Sequence, residues 1–187
     1  YNTYGKSKQL ATSYGTTITM SNCHYGWKID AETEAAAIID DIKGGEKVTR
    51  DLNYKYTAAS HTGNDYGNSY VEINLTAQHL YLYKNGSLVI DSDFVSGNPS
   101  KGNATHTGVF GVTYTERDAT LKGQNYATPV SFWMPFNGNE GMHDATWRSS
   151  FGGSIYKRNG SHGCVNLPYS VAQTIFENVS AGFPVFV

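Results

Sequence analysis

The chain has few cysteines, few charges and no long apolar run. Its two cysteines, Cys23 and Cys164, lie far apart among the 187 residues, which excludes a dense disulfide framework and leaves at least one thiol free. No apolar segment approaches the roughly 18 to 20 residues of a membrane span, and no basic and apolar leader opens the chain. Because the first residue is Tyr instead of Met, we expect a fragment, so the missing leader does not argue against export.

Charge is also sparse. Charged residues make up 16% of the chain, the net charge is -2, and no run of Lys or Arg occurs. Such a chain lacks the broad positive field that attracts phosphate backbones and anionic membrane surfaces. We therefore expect neither nucleic acid nor a membrane span, and any partner must be argued from a site. The 20 glycines and 14 tyrosines are typical of a strand-rich and turn-rich globular protein.

A polar, glycine-containing stretch at residues 60–69 divides the chain. Before it, a helix is predicted over residues 31–43, with Asp30 as its N-cap and glycines at its end, and a weaker strand over residues 48–56. We predict that residues 1–62 are the C-terminal part of a mixed α+β accessory domain. Residues 63–187 would then form a second, mostly β domain.

The second part reads as successive β-hairpins followed by a helix. An Asn85-Gly86 pair between two alternating runs predicts a tight hairpin turn. A helix is predicted over residues 168–178. Strands are predicted at residues 70–75, on each side of the Asn85-Gly86 turn within residues 79–90, and at residues 94–97, 107–115, 130–136 and 184–187.

A connection of about 14 residues, 116–129, is longer than most loops. Loops of this length often act as lids over active sites. The alternative is a surface turn or a small hairpin. The sequence leaves both open.

The stretch Ser161-His162-Gly163-Cys164 is typical of a nucleophile. A thiolate attacks carbonyl carbon, so a reactive cysteine needs a base or an electropositive setting that lowers its pKa from about 8.5. Gly163 lets the backbone approach the reacting group, and the amides of Gly163 and Cys164 are candidate oxyanion donors. Two bases are possible. His162 is two residues away, whereas His143, at the end of a predicted strand, could be held rigidly against the cysteine, and we favour His143.

This pattern resembles the signature of the bacterial L,D-transpeptidases of the YkuD type. The shared features are a histidine, a spacer of about 20 residues and the Ser-His-Gly-Cys core, together with the stretch Thr107-Gly108-Val109-Phe110. The resemblance covers residues 67–187. It implies a mostly β, β-sandwich-like catalytic domain with a C-terminal helix. We expect no cofactor and no metal site.

The resemblance also implies acyl transfer on peptidoglycan. Cys164 would attack the bond before the terminal D-Ala of a tetrapeptide stem, and His143 would take the thiol proton and return it to the leaving amine. A second stem would resolve the thioester and give a cross-link between the third residues of two stems. Ser161 and His162 would shape the site. Stem peptides as donor and acceptor and carbapenem β-lactams as covalent inhibitors are the implied partners, at the bacterial cell wall or anchored outside the cytoplasm.

Two positions depart from the family pattern. The residue two after the cysteine is often Arg, but Asn166 stands there, which can bind a carboxylate or amide without adding charge. Asp144 follows the base and could orient His143 through its side chain or only through its backbone carbonyl. Three aromatic residues are candidates for the donor pocket or, alternatively, for packing: Trp133, Trp147 and Tyr126.

Several other functions compete with this one. The set of His143, His162 and Cys164 offers three zinc ligands, but no paired C-x-x-C or H-E-x-x-H motif accompanies it. Cys23 beside His24 could form a second thiol site, or a metal site with His61, but a buried free cysteine is the simpler interpretation. The main rival is an L,D-carboxypeptidase or other cysteine wall peptidase that hands the acyl group to water. A non-enzymatic wall-binding module is the remaining alternative.

Overall fold

The computed structural model describes residues 2–123 and 126–187, without the side chain of Tyr126. Its described part is mostly β, with two larger sheets and two small two-stranded ones. No helix within those ranges is both long and apolar enough to span a membrane. The mostly β prediction with a C-terminal helix is therefore confirmed.

The first large sheet is built from hairpins and the C-terminal strand. The predicted Asn85-Gly86 turn is present, with φ of 52° and 78°, which is the left-handed backbone that a tight hairpin needs. The strands of this sheet are β5 (Tyr70–Asn74), β6 (His79–Lys84), β7 (Ser87–Asp93), β8 (Val109–Gly111) and β13 (Pro184–Phe186). Their order in the sheet is β7-β6-β5-β13-β8, with β13 parallel to β5 and antiparallel to β8.

The second large sheet carries the sequence motif. Its strands are β9 (Glu116–Gly123), β10 (Tyr126–Asn137), β11 (Glu140–Asp144) and β12 (Val165–Leu167). Their order is β12-β11-β10-β9, and only the pair of β11 and β12 is parallel among the described pairings. A parallel pair needs a crossover connection, and the chain between these two strands supplies it.

The two large sheets share one apolar core, which gives the predicted sandwich-like arrangement. Val71 and Leu82 of the first sheet, and Met134 and Met142 of the second, are fully buried in this core. A short helix, α2 (Tyr156–Asn159), lies in the connection between β11 and β12. The following helix, α3 (Tyr169–Asn178), packs its apolar side, including Ile175, into the same core.

The N-terminal part contains the small elements. The predicted helix is confirmed as α1 (Ala31–Gly44): the Asp30 side chain accepts a hydrogen bond from the Thr33 amide at 3.2 Å, and Gly45 ends the helix with φ of 69°. The short strands pair as β1 (Lys8–Ala11) with β2 (Thr17–Met20), and β3 (Lys28–Ile29) with β4 (Tyr54–Tyr56).

This N-terminal part packs on the first large sheet. Leu10, Cys23 and Tyr25 form a second apolar cluster with Val109 of β8 and Phe186 of β13. The two sides also meet through backbone hydrogen bonds, because the His24 amide donates to the Val109 carbonyl at 2.7 Å. The domain boundary at residue 62 stays a prediction, because contacts between the two parts do not show whether each part folds independently.

Several predicted strands differ in extent from the structure. Only Tyr54–Tyr56 of the predicted strand 48–56 pairs, and only Val109–Gly111 of the predicted strand 107–115. Residues 94–97 do not extend the first sheet but form isolated bridges to the motif stretch, Val95 to Asn166 and Gly97 to Ser161. Alternation of apolar residues predicts an extended backbone and leaves open which neighbour it pairs with.

The predicted loop over residues 116–129 is wrong. Glu116–Gly123 is strand β9, which pairs antiparallel with β10, so the segment is a long hairpin. Many of its side chains are exposed, so the apolar alternation that marks a half-buried strand is weak there. The hairpin alternative, and not an irregular loop, is the arrangement found.

Candidate active site

Cys164 stands in a bend at the start of β12, beside strand β11, in which His143 is the second-last residue. In the parallel pairing, Val165 lies opposite Met142 and Asn166 lies opposite His143. Strand pairing thus brings together residues that are far apart in the chain. Cys164 and His143 line the same cleft, which has a volume of about 440 Å³.

The imidazole of His143 is buried, with 3% exposure, and has a defined orientation. Its Nδ1 lies 2.8 Å from the backbone carbonyl oxygen of Asp144, so Nδ1–H donates and Nε2 is the nitrogen able to accept a proton. The Asp144 carboxylate points elsewhere and accepts from the amides of Ser131 and Phe132 at 2.8 and 2.9 Å. Of the two ways in which Asp144 could orient His143, the structure therefore contains the one through the backbone carbonyl.

Burial lowers the pKa of His143; the Asp144 carbonyl and charge oppose this, and the positive charge of Arg148 lowers it again. The imidazole is consequently neutral at neutral pH. A neutral imidazole is the form that can act as a general base.

Burial raises the pKa of the Cys164 thiol to about 11. A hydrogen bond from the Gly141 backbone opposes this rise, and the negative charge of Glu140 adds to it. The thiol lies 3.5 Å from the Asn139 carbonyl oxygen, to which the S–H group can donate. The expected lowering of the thiol pKa is therefore wrong for this resting state, which pairs a neutral thiol with a neutral imidazole.

The bend before Cys164 is held by Ser161. The Ser161 hydroxyl donates to the Cys164 carbonyl at 2.5 Å, and the Gly163 amide donates to the Ser161 hydroxyl oxygen at 3.1 Å. Gly163 has φ of +124°, and a Cβ at this position would lie 2.7 Å from Oε1 of Glu140, so both conformation and space require glycine. Its amide is bonded to Ser161 here, so an oxyanion role for Gly163 needs that bond to open.

A second layer of contacts supports the same bend. The Thr105 hydroxyl donates to the Gly163 carbonyl at 2.6 Å and accepts from the Gly97 amide at 2.9 Å. A Cβ on Gly97 would lie 1.8 Å from the Asn103 carbonyl oxygen and 2.8 Å from the Gly163 Cα. Sequence reasoning missed these supporting residues, because nothing in a Gly or Thr residue marks it as a neighbour of a site 60 residues away.

The cleft has a mixed lining. Trp147 is 52% exposed there, and its ring centroid lies 5.9 Å from that of His143. His162 is exposed at the same cleft. The full set of lining residues is Leu121, Thr128, His143, Trp147, Arg148, Gly160, Ser161, His162, Cys164 and Asn166.

The other two predicted aromatics are placed differently. Trp133 is 6% exposed and does not line this cleft; its ring lies against Gly141, and its Nε1 donates to the Tyr114 hydroxyl at 3.3 Å. Its position under His143 and Cys164 is that of a packing residue. The side chain of Tyr126 lies outside the described residues, so its predicted contact with substrate stays a prediction.

Two buried polar atoms of the cleft residues have no hydrogen-bond partner in the described part of the chain: Nε of Arg148 and Oδ1 of Asn166. Buried polar groups are nearly always paired, so such atoms need an explanation. Sequence reasoning singled out Asn166 but missed Arg148. The available signal was a lone Arg next to Trp147 in a segment with few charges.

Over the ranges that the structure describes, no group of three or more His, Cys, Asp or Glu side chains is arranged to hold a metal ion. Cys23 is free and buried, with its thiol 3.2 Å from the Met20 carbonyl oxygen. The neighbouring His24 hydrogen-bonds Asn22, and His61 stacks on Trp27 with ring centroids 3.5 Å apart. These contacts favour packing over a second reactive site.

Comparison with known proteins matches this geometry to one family. The family model YkuD, described as an L,D-transpeptidase catalytic domain, matches residues 68–187. A cysteine-to-serine variant of the Enterococcus faecium L,D-transpeptidase is 36% identical, covering all of this chain and 76% of its own, with a TM-score of 0.81. The NMR structure of the catalytic domain from E. faecium is 41% identical, covering 68% of this chain and 99% of its own, with a TM-score of 0.59.

A more distant structure shares the fold alone. The L,D-transpeptidase from Mycobacterium smegmatis is 20% identical, covering 75% of this chain and 64% of its own, with a TM-score of 0.57. No curated protein sequence matches the chain.

Proposed function

This chain belongs to the YkuD family of L,D-transpeptidase catalytic domains, and from that membership we propose that it cross-links peptidoglycan stems through a Cys164 acyl-enzyme. The donor would be a tetrapeptide stem that loses its terminal D-Ala. The acceptor would be an amine on a second stem. The observation that carries the proposal is that Cys164 and His143 line one cleft, with Nε2 of the imidazole available to take a proton.

The first half of the reaction forms the thioester. His143 Nε2 takes the Cys164 proton as sulfur bonds to the donor carbonyl carbon, and the carbonyl oxygen becomes an oxyanion. The C–N bond then breaks, and the imidazolium gives its proton to the leaving amine. Because both groups are neutral at rest, the proton moves during attack and is not transferred beforehand.

The second half hands the acyl group to the acceptor. The acceptor amine attacks the thioester carbon, His143 accepts a proton from that amine, and the Cys164 sulfur leaves and is reprotonated. Water in place of the amine would give the carboxypeptidase reaction and a tripeptide product. Cys164 and His143 do the same chemistry in transpeptidation and in hydrolysis, so only the product distinguishes the two reactions.

Mass spectrometry of the products tests the proposal. The protein incubated with a tetrapeptide stem should release D-Ala and form cross-linked dimers, whereas Cys164→Ala should do neither. Cys23→Ala is the matched control, because it removes the other thiol and should retain the reaction. A tripeptide as the sole product would replace transpeptidation by hydrolysis, and activity in Cys164→Ala would overturn the nucleophile assignment.

Covalent inhibition gives a second test. The catalytic domain of the E. faecium L,D-transpeptidase has been solved acylated by ertapenem. A carbapenem should therefore add its mass to this chain on the peptide that contains Cys164. An adduct on another peptide would contradict the proposed nucleophile.

We also propose that the protein works outside the cytoplasm, where its substrate lies, and that residues 1–62 are part of an accessory domain. Cell-wall peptidoglycan as the substrate is the reason for this location. The packing of Leu10, Cys23 and Tyr25 against Val109 and Phe186 would keep such an accessory part fixed to the catalytic sheet.

A further inference from the structure

Two unpaired polar atoms belong to residues that line the cleft. Nε of Arg148 can only donate a hydrogen bond, and Oδ1 of Asn166 can only accept one. Asn166 is 2% exposed, and neither unpaired atom is open to solvent in this structure. A small rotation of each side chain toward the cleft would expose its atom, and a ligand that brings an acceptor to Arg148 and an N–H group to Asn166 would then pair both.

Arg148 is held in place and carries a charge. Its NH1 group donates to the Asn159 carbonyl oxygen at 2.8 Å, which leaves other guanidinium N–H groups for a ligand. The cleft lining contains no Asp or Glu among the described residues, so no lining carboxylate neutralises this cation. Arg148 is half-buried, and a planar guanidinium in such a setting is well suited to bind a carboxylate.

The position of Arg148 relative to His143 indicates which carboxylate this is. Arg148 and His143 line the same cleft, and the ring of Trp147, the residue next to Arg148, lies 5.9 Å from the imidazole. His143 must deliver a proton to the nitrogen of the departing residue. In an amino acid, the α-carboxylate is attached to the carbon next to that nitrogen, so it reaches a cation beside His143.

We propose that Arg148 and Asn166 form the subsite for the departing residue of the donor, with Arg148 binding its free α-carboxylate and Asn166 Oδ1 accepting a donor N–H. This subsite rests on the proposed function of Cys164 and His143. It also explains how the cleft binds an anionic donor although Asn166 carries no charge. Arg148 supplies the positive charge from the β11–β12 connection.

The subsite sets a requirement on the donor. The residue after the broken bond must end in a free carboxylate. Amidation removes the charge, and an additional residue moves the carboxylate by about 3.5 Å, beyond direct hydrogen bonding. Donors of either kind should react more slowly by roughly 10- to 100-fold, as expected for a lost charge-assisted hydrogen bond.

The test compares two tetrapeptide donors that differ only at the C-terminus, the acid and the carboxamide. We expect the wild-type protein to prefer the acid roughly 10- to 100-fold in kcat/KM. Arg148→Gln should abolish the preference, so that the acid and the carboxamide react at the same rate, and Arg148→Lys should retain part of the preference. Arg158→Gln is the matched control, because Arg158 is exposed, does not line the cleft and should keep the full preference.

The carboxamide rate guards against a folding artefact, since a misfolded variant would lose both reactions. Equal use of both donors by the wild-type protein would overturn the subsite. So would an equal slowing of both donors in Arg148→Gln.

A binding measurement separates this subsite from the proposed reaction. Calorimetric titration of Cys164→Ala with the two peptides needs no turnover. Cys164→Ala should bind the acid more tightly than the carboxamide, and the double variant Cys164→Ala/Arg148→Gln should bind the two peptides equally. That result without any turnover in the wild-type protein would keep the subsite and reject the reaction. Turnover without a difference in binding or rate between the peptides would keep the reaction and reject the subsite.

Discussion

At the residue scale, the reactivity of this protein depends on how burial acts on two neutral groups. Burial raises the pKa of Cys164 to about 11 and lowers that of His143, since a low-dielectric setting disfavours each charged form. A thiolate–imidazolium pair is therefore not the resting state. Instead, the thiol gives up its proton when a carbonyl carbon is in place to accept the sulfur.

This predicts the pH dependence of Cys164 alkylation by iodoacetamide. With a thiol pKa of about 11, the thiolate fraction at pH 7 is small and grows about tenfold per pH unit, so the rate should rise steadily from pH 7 to 10. His143→Gln should barely change the rate at pH 7. Cys164→Ala reports any labelling of Cys23. A rate that is already maximal at pH 7, and falls in His143→Gln, would instead indicate a preformed ion pair.

At acidic pH, the rate of acyl transfer should depend on the protonation of His143 and not on that of the Cys164 thiol. The folded-state pKa of His143 lies below its ordinary value of 6.5, so the neutral base persists down to that pH. Hence kcat/KM should hold as pH falls from 7.5 to 6.5 and decline only below it. Initial rates of D-Ala release, measured across this pH range, test this. If kcat/KM already declines above pH 7, burial does not control the pKa of His143.

At the element scale, one strand pairing and one hairpin make the cleft. The parallel pairing of β11 with β12 places Cys164 beside the strand that carries His143. The hairpin of β9 and β10 adds a wall, because Leu121 and Thr128 are directly opposite each other across its strands and both line the cleft. Leu121 also packs against the cluster that includes Trp133.

We predict that Leu121→Ala raises the donor KM roughly three- to tenfold, since about 1 kcal/mol of apolar contact would be lost. Lys122→Ala is the matched control, because it changes the next residue of the same strand, which is exposed and does not line the cleft. Its KM should stay within about twofold of the wild type. Steady-state kinetics of both variants, with unfolding midpoints to confirm the fold, decide this, and equal effects would argue against the hairpin as a cleft wall.

At the scale of the whole molecule, the N-terminal part is joined to the first large sheet by burial and by polar contacts. Leu10 is 1% exposed in the cluster with Val109 and Phe186. The Ser13 hydroxyl donates to the Glu72 carboxylate at 2.7 Å. Unfolding of either part would expose apolar surface of the other, so the two should unfold together.

Leu10→Ala should therefore lower the free energy of unfolding of the whole chain by about 2 to 5 kcal/mol, as expected for a large-to-small change in a core. Ile18→Ala, in the paired strand but 39% exposed, should change it by less than about 1 kcal/mol. Urea unfolding followed by fluorescence and circular dichroism measures both. Two separate transitions, with only one moved by Leu10→Ala, would show that the parts unfold independently.

Local sequence determined much of what was found. Asp30 and the following helix formers predicted α1, Asn85-Gly86 predicted a hairpin, and the apolar spacing after Pro168 predicted α3, because caps, turns and periodicity act within a few residues. The motif around Cys164 and its upstream histidine predicted the family. These features depend on neighbours in the chain and are readable without the fold.

Tertiary structure decided the rest. It placed residues 94–97 against the motif stretch, paired β9 with β10, and oriented His143 through the Asp144 carbonyl instead of the carboxylate. It also raised the thiol pKa that the motif alone predicted to be lowered, and brought Arg148 into the cleft beside Asn166. Burial, strand pairing and unpaired polar atoms are properties of residues distant in sequence, so only the folded chain defines them.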